Sequence, residues 1–287
     1  MLDPTVVGQV AFNIVSYAAI LIVLSIGLQL VAGLLGVINV AHGELVLIGA
    51  YGAFALTLAD ANLWFGLLVV PLAAGLVAFA MDRGLLRFLY SRPVESLIMT
   101  WALSIFIRQG IQFLFGAYPH SVADPIAGTF SVFGLLLPRW RLLIVVIGAL
   151  TLVGVQLLLH RTSIGLQLRA AVANRDLALS MGVNVDRLYS MTFVGAAMLA
   201  GLAGYLLAPI TSITPQLGIG YLLPAFFVVV LAGFGSILGL IVGAAIIGGL
   251  QTVLSLLLDP VMGQILVLIF AFLFIQKRSR DALITTV

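Results

Sequence analysis

The sequence lacks cysteine and has a single lysine, Lys277, so disulfides, thiolate metal sites and cysteine nucleophiles are excluded. The Gly-Lys pair that places an ammonium group on nucleotide phosphates is also missing, because Lys277 follows Gln276. No His-Glu-x-x-His zinc motif or Gly-x-Ser-x-Gly nucleophile elbow is present, and His42, His120 and His160 are scattered along the chain. The sequence therefore predicts no enzyme, no catalytic residue, no metal site and no cofactor bound by this chain.

Charged residues are also scarce, at 8% of the 287 residues against 63% hydrophobic residues. A soluble protein of this size does not need so many hydrophobic residues, whereas a protein surrounded by lipid tolerates them. Apolar runs of about 18–25 residues recur along the whole chain, and a helix of that length crosses roughly 30 Å of hydrocarbon. The net charge of +3 is spread over loops and indicates loop orientation, not nucleic-acid binding.

The predicted fold is an all-α polytopic integral membrane protein with about eight or nine transmembrane helices, some of them discontinuous, in one domain over residues 1–287. The predicted helices lie near 10–34, 37–58, 62–80, 93–115, 141–159, 189–210, 222–234, 237–257 and 261–276. The segment 222–234 is too short for a full crossing, and Gly33, Gly36 and Asn39 interrupt a long apolar run. Such breaks are typical of discontinuous helices that face protein or water.

Basic residues predict which loops face the cytoplasm. They cluster in three places: Arg83, Arg87 and Arg92; Arg161, Arg169, Arg175 and Arg187; and Lys277, Arg278 and Arg280. Nine crossings reconcile all three clusters, with the N-terminus and the loop 116–140 outside and the segment 160–188 and the C-terminus in the cytoplasm. Arg139 and Arg141 are exceptions on the outer side.

Three polar residues, Asn39, His42 and Glu44, lie in an otherwise apolar stretch at the start of a predicted helix. Ionisable groups at membrane depth are costly and often functional, so these residues are candidates for lining the solute path. In the alternative interpretation, Asn39 caps the helix and Glu44 interacts favourably with the helix dipole near the membrane surface.

Other polar and small residues have simpler interpretations. Thr214 and Gln216 lie in a segment at 211–220 that is either a turn or a hydroxyl-lined entrance to the path. Arg108 lies about 10 Å from the outer end of its helix, so its side chain can extend toward the surface, which favours a structural role over a substrate contact. It is not expected to pair with Glu95, which lies about 220° around the helix. Spacing by four residues places Gly235, Gly239 and Gly243 on one helix face, which favours tight helix packing.

Three separated stretches resemble one family, the permease subunits of bacterial ABC importers for branched-chain amino acids, hydrophobic amino acids and amides. They are GVINVAHGE at 36–44, RAAVANRDLALSMGVNVDRLYSMTF at 169–193 and GQILVLIFAFLFIQKRSR at 263–280. SRPVESLIMTW at 91–101 also resembles the urea and short-amide branch. Asp176, Ala178 and Gly182 approximately match the family's coupling motif of Glu-Ala-Ala, three residues and Gly.

The resemblance implies a multi-pass subunit of the bacterial cytoplasmic membrane that works with a second similar permease, two cytoplasmic ATPases and an extracytoplasmic solute-binding protein. ATP and magnesium would be used by the ATPases. The coupling region about 160–188 would dock on the ATPases through Arg169, Arg175, Asp176, Ala178, Gly182, Asp186 and Arg187. A self-powered secondary transporter and a passive channel are the competing interpretations, and neither explains the segment 160–188.

Overall fold

The computed structural model describes residues 4–35, 39–89, 92–132, 134–233 and 235–284. Within these residues the chain is mainly helical, with one short β-hairpin formed by β1 (Thr129–Val132) and β2 (Leu135–Pro138). The helices are α1 (Pro4–Leu35), α2 (His42–Leu58), α3 (Gly66–Gly84), α4 (Pro93–Phe115), α5 (Arg139–Arg161), α6 (Ser163–Ala173), α7 (Arg175–Ser180), α8 (Val185–Leu207), α9 (Leu217–Ala232), α10 (Ile237–Leu257) and α11 (Pro260–Ile284).

Each predicted apolar segment coincides with one of these helices, which confirms the all-α polytopic fold. Among the described residues, 6 helices are long and apolar enough to cross a membrane. The apolar helices His42–Leu58, Leu217–Ala232 and Pro260–Phe274 are shorter, which agrees with the expectation of partial crossings.

The break between the first two helices lies later than predicted. Helix α1 continues through Gly33 to Leu35, so an interruption at Gly33 is wrong, and Gly36 lies outside the described residues. The chain is non-helical at Asn39–Ala41, and α2 begins at His42. Helix α9 begins at Leu217, earlier than the predicted start at 222.

Helix α8 is the centre of the bundle and packs against α1, α2 and α3. Its inner face consists largely of small residues, and Ala197, Ala200 and Ala203 are fully buried. Small side chains allow the neighbouring backbones to approach closely, which is how helices associate in a lipid solvent. Helices α4 and α5 are peripheral, because only 17% and 11% of their apolar windows are buried against 56% for α8.

The β-hairpin lies within the predicted outer loop 116–140 and leads directly into α5. Hydrogen bonds are among the contacts that attach this region to the bundle: the Trp140 indole donates to the Leu206 carbonyl at 3.0 Å, and His120 exchanges backbone hydrogen bonds with Ile213. Because α5 runs from the hairpin to α6, the hairpin end and the α6–α7 end lie at opposite ends of the bundle.

The glycine series predicted on α10 is interrupted. Gly239 and Gly243 lie in the helix, and a Cβ at these positions would come within 2.4 Å of the Ala232 carbonyl and 3.0 Å of the Val228 carbonyl. Gly235 precedes the helix and has a φ of 85° with no atom within 4 Å of a built Cβ. The expectation that Gly235 packs on the same face is therefore wrong; it serves a turn that glycine adopts without strain.

Candidate translocation site

The start of α2 is buried inside the helical bundle. Asn39, His42 and Glu44 are 2%, 0% and 1% exposed. Ala41 precedes α2, and no side chain caps the helix, so the expectation that Asn39 is the cap is wrong. Neither amide atom of Asn39 has a hydrogen-bond partner among the described residues. An unsatisfied buried amide is costly and therefore marks a position of functional interest.

His42 and Asn39 do not share a helix face, because Asn39 lies before the helix begins. The His42 Nε2 atom lies 3.4 Å from the Leu24 carbonyl of α1, while its Nδ1 atom has no partner among the described residues. The ring also lies beside Gly27, whose missing side chain leaves the necessary space. His42 therefore connects the start of α2 to the middle of α1.

Glu44 forms a buried ion pair with Arg108 of α4, which the sequence analysis did not predict. The Glu44 Oε1 atom accepts hydrogen bonds from Ser104 Oγ at 2.9 Å, from Arg108 Nε at 3.2 Å and from Arg108 Nη2. Ser104 Oγ also accepts a bond from Arg108 Nη2 at 3.0 Å. The Arg108 side chain is 21% exposed and pairs with Glu44, whereas Glu95 pairs with Arg92.

A polar row along α4 holds the start of α2. Ser96, Thr100, Ser104 and Arg108 recur every four residues and therefore lie on one helix face. The three hydroxyl residues are each 2% exposed, and Thr100 Oγ1 accepts a hydrogen bond from the Val40 backbone amide at 3.3 Å. This spacing was the sequence signal that could have linked Arg108 to a buried partner.

The N-termini of α2 and α9 meet inside the bundle. A Cβ at Gly43 would lie 2.7 Å from the Gly218 carbonyl, and a Cβ at Gly218 would lie 2.3 Å from the Gly43 carbonyl. Both helices are too short for a complete crossing. Half-length helices that begin within a membrane bundle present unpaired backbone amides at the same depth, which is a recurrent arrangement at transport sites.

A cavity of about 480 Å³ opens beside this junction and is called the hairpin-end cavity. It lies between α1, α5, α9, α10 and α11, and its lining includes Thr214 and Arg141. Gln216 is exposed and outside the lining, as are Asn39, His42 and Glu44. Of the predicted path residues, Thr214 alone lines this cavity, Asn39, His42 and Glu44 are buried in the bundle, and Gln216 is exposed.

At the α6–α7 end, the predicted coupling residues have different surroundings. Ala178 is 2% exposed and belongs to a small core with Leu168, Val185 and Tyr189. It holds α7 in place and presents no contact surface. Gly182 has a φ of 81° and forms the turn that leads into α8.

The charged coupling residues lie at the surface. Arg169, Asp176, Asp186 and Arg187 are exposed, and Arg175 lies 4.0 Å from Asp186 in a solvent-exposed pair. The sequence analysis missed the exposed apolar side chains between them. Leu177 and Met181 are 58% and 75% exposed, and Leu166, Val172 and Leu179 are further exposed apolar residues at this end. Large apolar side chains exposed in this way are typical of a surface that a partner covers.

No group of three or more His, Asp or Glu residues suitable for a metal ion occurs among the residues that the structure describes.

Comparison with known proteins gives a consistent result. The model of a family described as "Branched-chain amino acid transport system / permease component" matches residues 10–275. LivH of Salmonella typhimurium, a high-affinity branched-chain amino acid transport system permease protein, is 29% identical over 259 residues, with 84% of this chain and 83% of LivH covered. BraD of Pseudomonas aeruginosa, described in the same terms, is 31% identical over 246 residues, with 78% of each chain covered.

A more distant relative has a different solute in its name. The ribose import permease protein RbsC of Escherichia coli is 26% identical over 256 residues, with 86% of this chain and 78% of RbsC covered. No solved structure matches the chain. Relatives named for amino acids and for a sugar share most of their length with this chain, so overall similarity does not by itself identify the solute.

Proposed function

The chain belongs to the family of branched-chain amino acid transport system permease components, and we propose that it forms half of the membrane passage of an ATP-driven (ABC) importer. One observation carries this proposal: the described bundle has a polar cavity at its hairpin end and an exposed apolar surface on α7 at the opposite end. The cavity is suited to binding a solute, and the exposed apolar surface is suited to contact with a partner protein. The sequence has no nucleotide-binding Gly-Lys pair, so the energy source is a separate subunit.

The proposed solutes are branched-chain or other hydrophobic amino acids. LivH and BraD, which are named for branched-chain amino acids, favour this class over urea and short amides. A ribose-like sugar is the second candidate because RbsC is similar over most of the chain. The chain acts as a transport subunit and not as an enzyme, and it binds neither ATP nor magnesium itself.

The proposed partners are a second similar permease, two cytoplasmic ATPases that use ATP and magnesium, and an extracytoplasmic solute-binding protein. The protein is a multi-pass component of the bacterial cytoplasmic membrane, with its N-terminus outside and its C-terminus in the cytoplasm. Arg169, Arg175 and Arg187 support this orientation, because they all lie at the α6–α7 end, and basic loops face the cytoplasm. The hairpin end then faces the binding protein.

Uptake by the reconstituted importer tests the proposal. The complete complex in proteoliposomes is expected to accumulate radiolabelled leucine only when ATP is present on the ATPase side and the binding protein on the other side. Accumulation driven by a sodium or proton gradient without ATP would indicate a secondary transporter. Downhill flux that needs neither ATP nor binding protein would indicate a channel. Ribose supplied with the same components provides the comparison between the two candidate solutes.

Changing Leu177 and Met181 together to aspartate is expected to uncouple the ATPases from the membrane helices. Both side chains are exposed apolar groups at the α6–α7 end, and charge on a docking surface weakens association by about tenfold or more. The measurement is ATPase stimulation by the solute-loaded binding protein in a complex whose assembly is checked by size-exclusion chromatography. Leu136→Asp is the matched control for charge on an exposed apolar side chain, because Leu136 is 59% exposed on the hairpin at the opposite end. Since the hairpin end faces the binding protein, the stimulation of each variant is normalised to the fraction of complex that has bound the binding protein. Equal losses in both variants would contradict a docking role.

A further inference from the structure

Arg141 is an unusual arginine for its position. It lies in the first turn of α5, where the helix dipole is positive and a cation is unfavourable. No carboxylate lies within 4.0 Å of its guanidinium among the residues that the structure describes. Its one side-chain hydrogen-bond partner in the described part of the chain is neutral, the Asn13 Oδ1 atom of α1 at 2.5 Å. The N-terminal end of α5 and the Arg141 guanidinium are both positive and have no acidic partner there, so the position is suited to an anion supplied from outside the chain.

The surroundings of Arg141 combine polar and apolar groups in one cavity. The hairpin-end cavity of about 480 Å³ is within the range of about 300–1,000 Å³ that is usual for small-molecule sites. Its lining residues include Ser16 and Thr252, which carry hydroxyl groups, and the apolar residues Ile20 and Leu217. None of the residues that line the cavity is acidic. The cavity is therefore suited to a small molecule with an anionic group and an apolar part.

We infer that the hairpin-end cavity is a transient binding site for a hydrophobic α-amino acid, whose carboxylate binds the Arg141 guanidinium. The apolar side chain of the solute lies against Ile20 and Leu217, and its ammonium group is hydrogen-bonded by hydroxyl groups of the wall. This inference rests on the proposed function and names a substrate contact within the proposed path. A sugar or urea has no carboxylate, so Arg141 discriminates in favour of amino acids.

The absence of an acidic group from the cavity lining has a consequence for affinity. The ammonium group of the solute finds only neutral acceptors there, so the site binds an amino acid more weakly than a site with both charges. Weak binding suits a transport path, because a solute must leave each site as readily as it enters. The hairpin end is also the entry side in the proposed orientation, where the binding protein releases its solute.

The absence of cysteine from the chain makes this site directly testable. Ser212→Cys introduces one thiol into the exposed part of the cavity lining with almost no change of shape. The assembled complex in nanodiscs is treated with an anionic methanethiosulfonate reagent, without ATP or binding protein, and the modified fraction of this chain is read by intact mass. Leucine is expected to slow the modification, and leucinamide, which has no carboxylate, is expected to have little effect.

Removing the charge of Arg141 is expected to abolish this protection. In Ser212→Cys/Arg141→Gln, half-protection should require about tenfold more leucine, because a charge-assisted bidentate contact is lost. Modification by the anionic reagent should also slow relative to a cationic one. Arg141→Lys keeps the charge and should retain part of the protection. Arg139→Gln is the matched control, since the Arg139 guanidinium lies 4.9 Å from the Phe130 ring centroid and outside the cavity lining.

The possible outcomes separate this inference from the proposed function. Equal protection by leucine and leucinamide, or unchanged protection in Arg141→Gln, would overturn the carboxylate site even if uptake of leucine requires ATP. Loss of protection in Arg139→Gln to the same extent would also overturn it. Failure of ATP-dependent uptake in a complex where leucine still protects Ser212→Cys through Arg141 would instead contradict the importer proposal. Assembly of every variant is checked first by size-exclusion chromatography.

Discussion

Replacing Arg108 with leucine is expected to destabilise the protein by about 3–5 kcal/mol, because Glu44 then remains buried without its partner. Glu44 is 1% exposed, and its Oε1 atom accepts hydrogen bonds from both Arg108 and Ser104. The hydroxyl of Ser104 cannot replace a guanidinium charge in a lipid-surrounded bundle. The change is measured as the free energy of unfolding during titration with sodium dodecyl sulfate from a mild detergent.

The double variant Glu44→Gln/Arg108→Met is expected to recover most of this loss and to unfold within about 1 kcal/mol of the unmodified protein. Removing both charges leaves no buried unpaired ion, and methionine fills much of the arginine volume. A double-mutant cycle completed with the single variants Glu44→Gln and Arg108→Met then gives the coupling energy of the pair itself. A double variant that is less stable than Arg108→Leu would contradict the ion pair as the source of the effect.

A surface pair in the same helix is the control. Arg92 and Glu95 lie 3.7 Å apart at the start of α4, and their side chains are 65% and 53% exposed. Water screens such a pair, so Arg92→Leu is expected to change the free energy of unfolding by about 0–1 kcal/mol. A loss at Arg92 as large as that at Arg108 would show that charge removal from α4 is destabilising wherever it occurs.

The positions of the helices could be predicted from the sequence because they depend on local properties. Among the described residues, apolar run length alone identified every helix that is long enough to cross a membrane, and the shortness of the segment 222–234 agrees with the short helix α9. The predicted ends of the helices were less accurate where a contact with another helix determines the end. Asn39 lies in a non-helical stretch whose Val40 amide donates a hydrogen bond to Thr100 of α4, and no local pattern reveals a partner that far along the chain.

The contacts of the candidate site were not predictable for the same physical reason. Glu44 and Arg108 are 64 residues apart, and their pairing depends on how α4 docks against α2. The spacing of polar residues along α4 indicated a polar face, but not the element that this face contacts. In the sequence, Arg141 was notable only as a basic residue on the outer side, where the positive-inside rule predicts few. The cavity beside it could not be predicted, because five helices from distant parts of the chain form it.

The spacing of glycine residues in the sequence did not predict which helices approach each other most closely. The glycine series on α10 was visible by its regular spacing, yet the closest approaches of the bundle are elsewhere. A Cβ at Gly204 of α8 would lie 1.9 Å from the Val46 carbonyl of α2, and one at Gly49 would lie 2.1 Å from the Gly201 carbonyl. These distances are too short for any carbon atom, so glycine is required where α2 crosses α8.

Gly204→Ala is therefore expected to be the most disruptive single-methyl change in the chain. Overpacking usually costs about 1–3 kcal/mol, and the cost is higher here because the added Cβ meets a backbone carbonyl that no side-chain rotation can move. Separating α2 from α8 would displace the start of α2 and with it the ion pair of Glu44. The expected result is loss of the folded monodisperse protein in mild detergent, measured by fluorescence-detected size-exclusion chromatography and thermal unfolding.

Gly195→Ala tests whether this effect comes from the crossing or from the loss of a helical glycine. Gly195 lies in the same helix, α8, but no atom lies within 4 Å of its built Cβ. Alanine has a higher helix propensity than glycine by about 1 kcal/mol, so this variant should be as stable as the unmodified protein or slightly more stable. If Gly204→Ala and Gly195→Ala behave alike, the close approach of α2 and α8 is not what requires glycine. If they differ as expected, α8 positions helix α2, and the location of Asn39, His42 and Glu44 in the bundle depends on the close backbone contacts between α2 and α8.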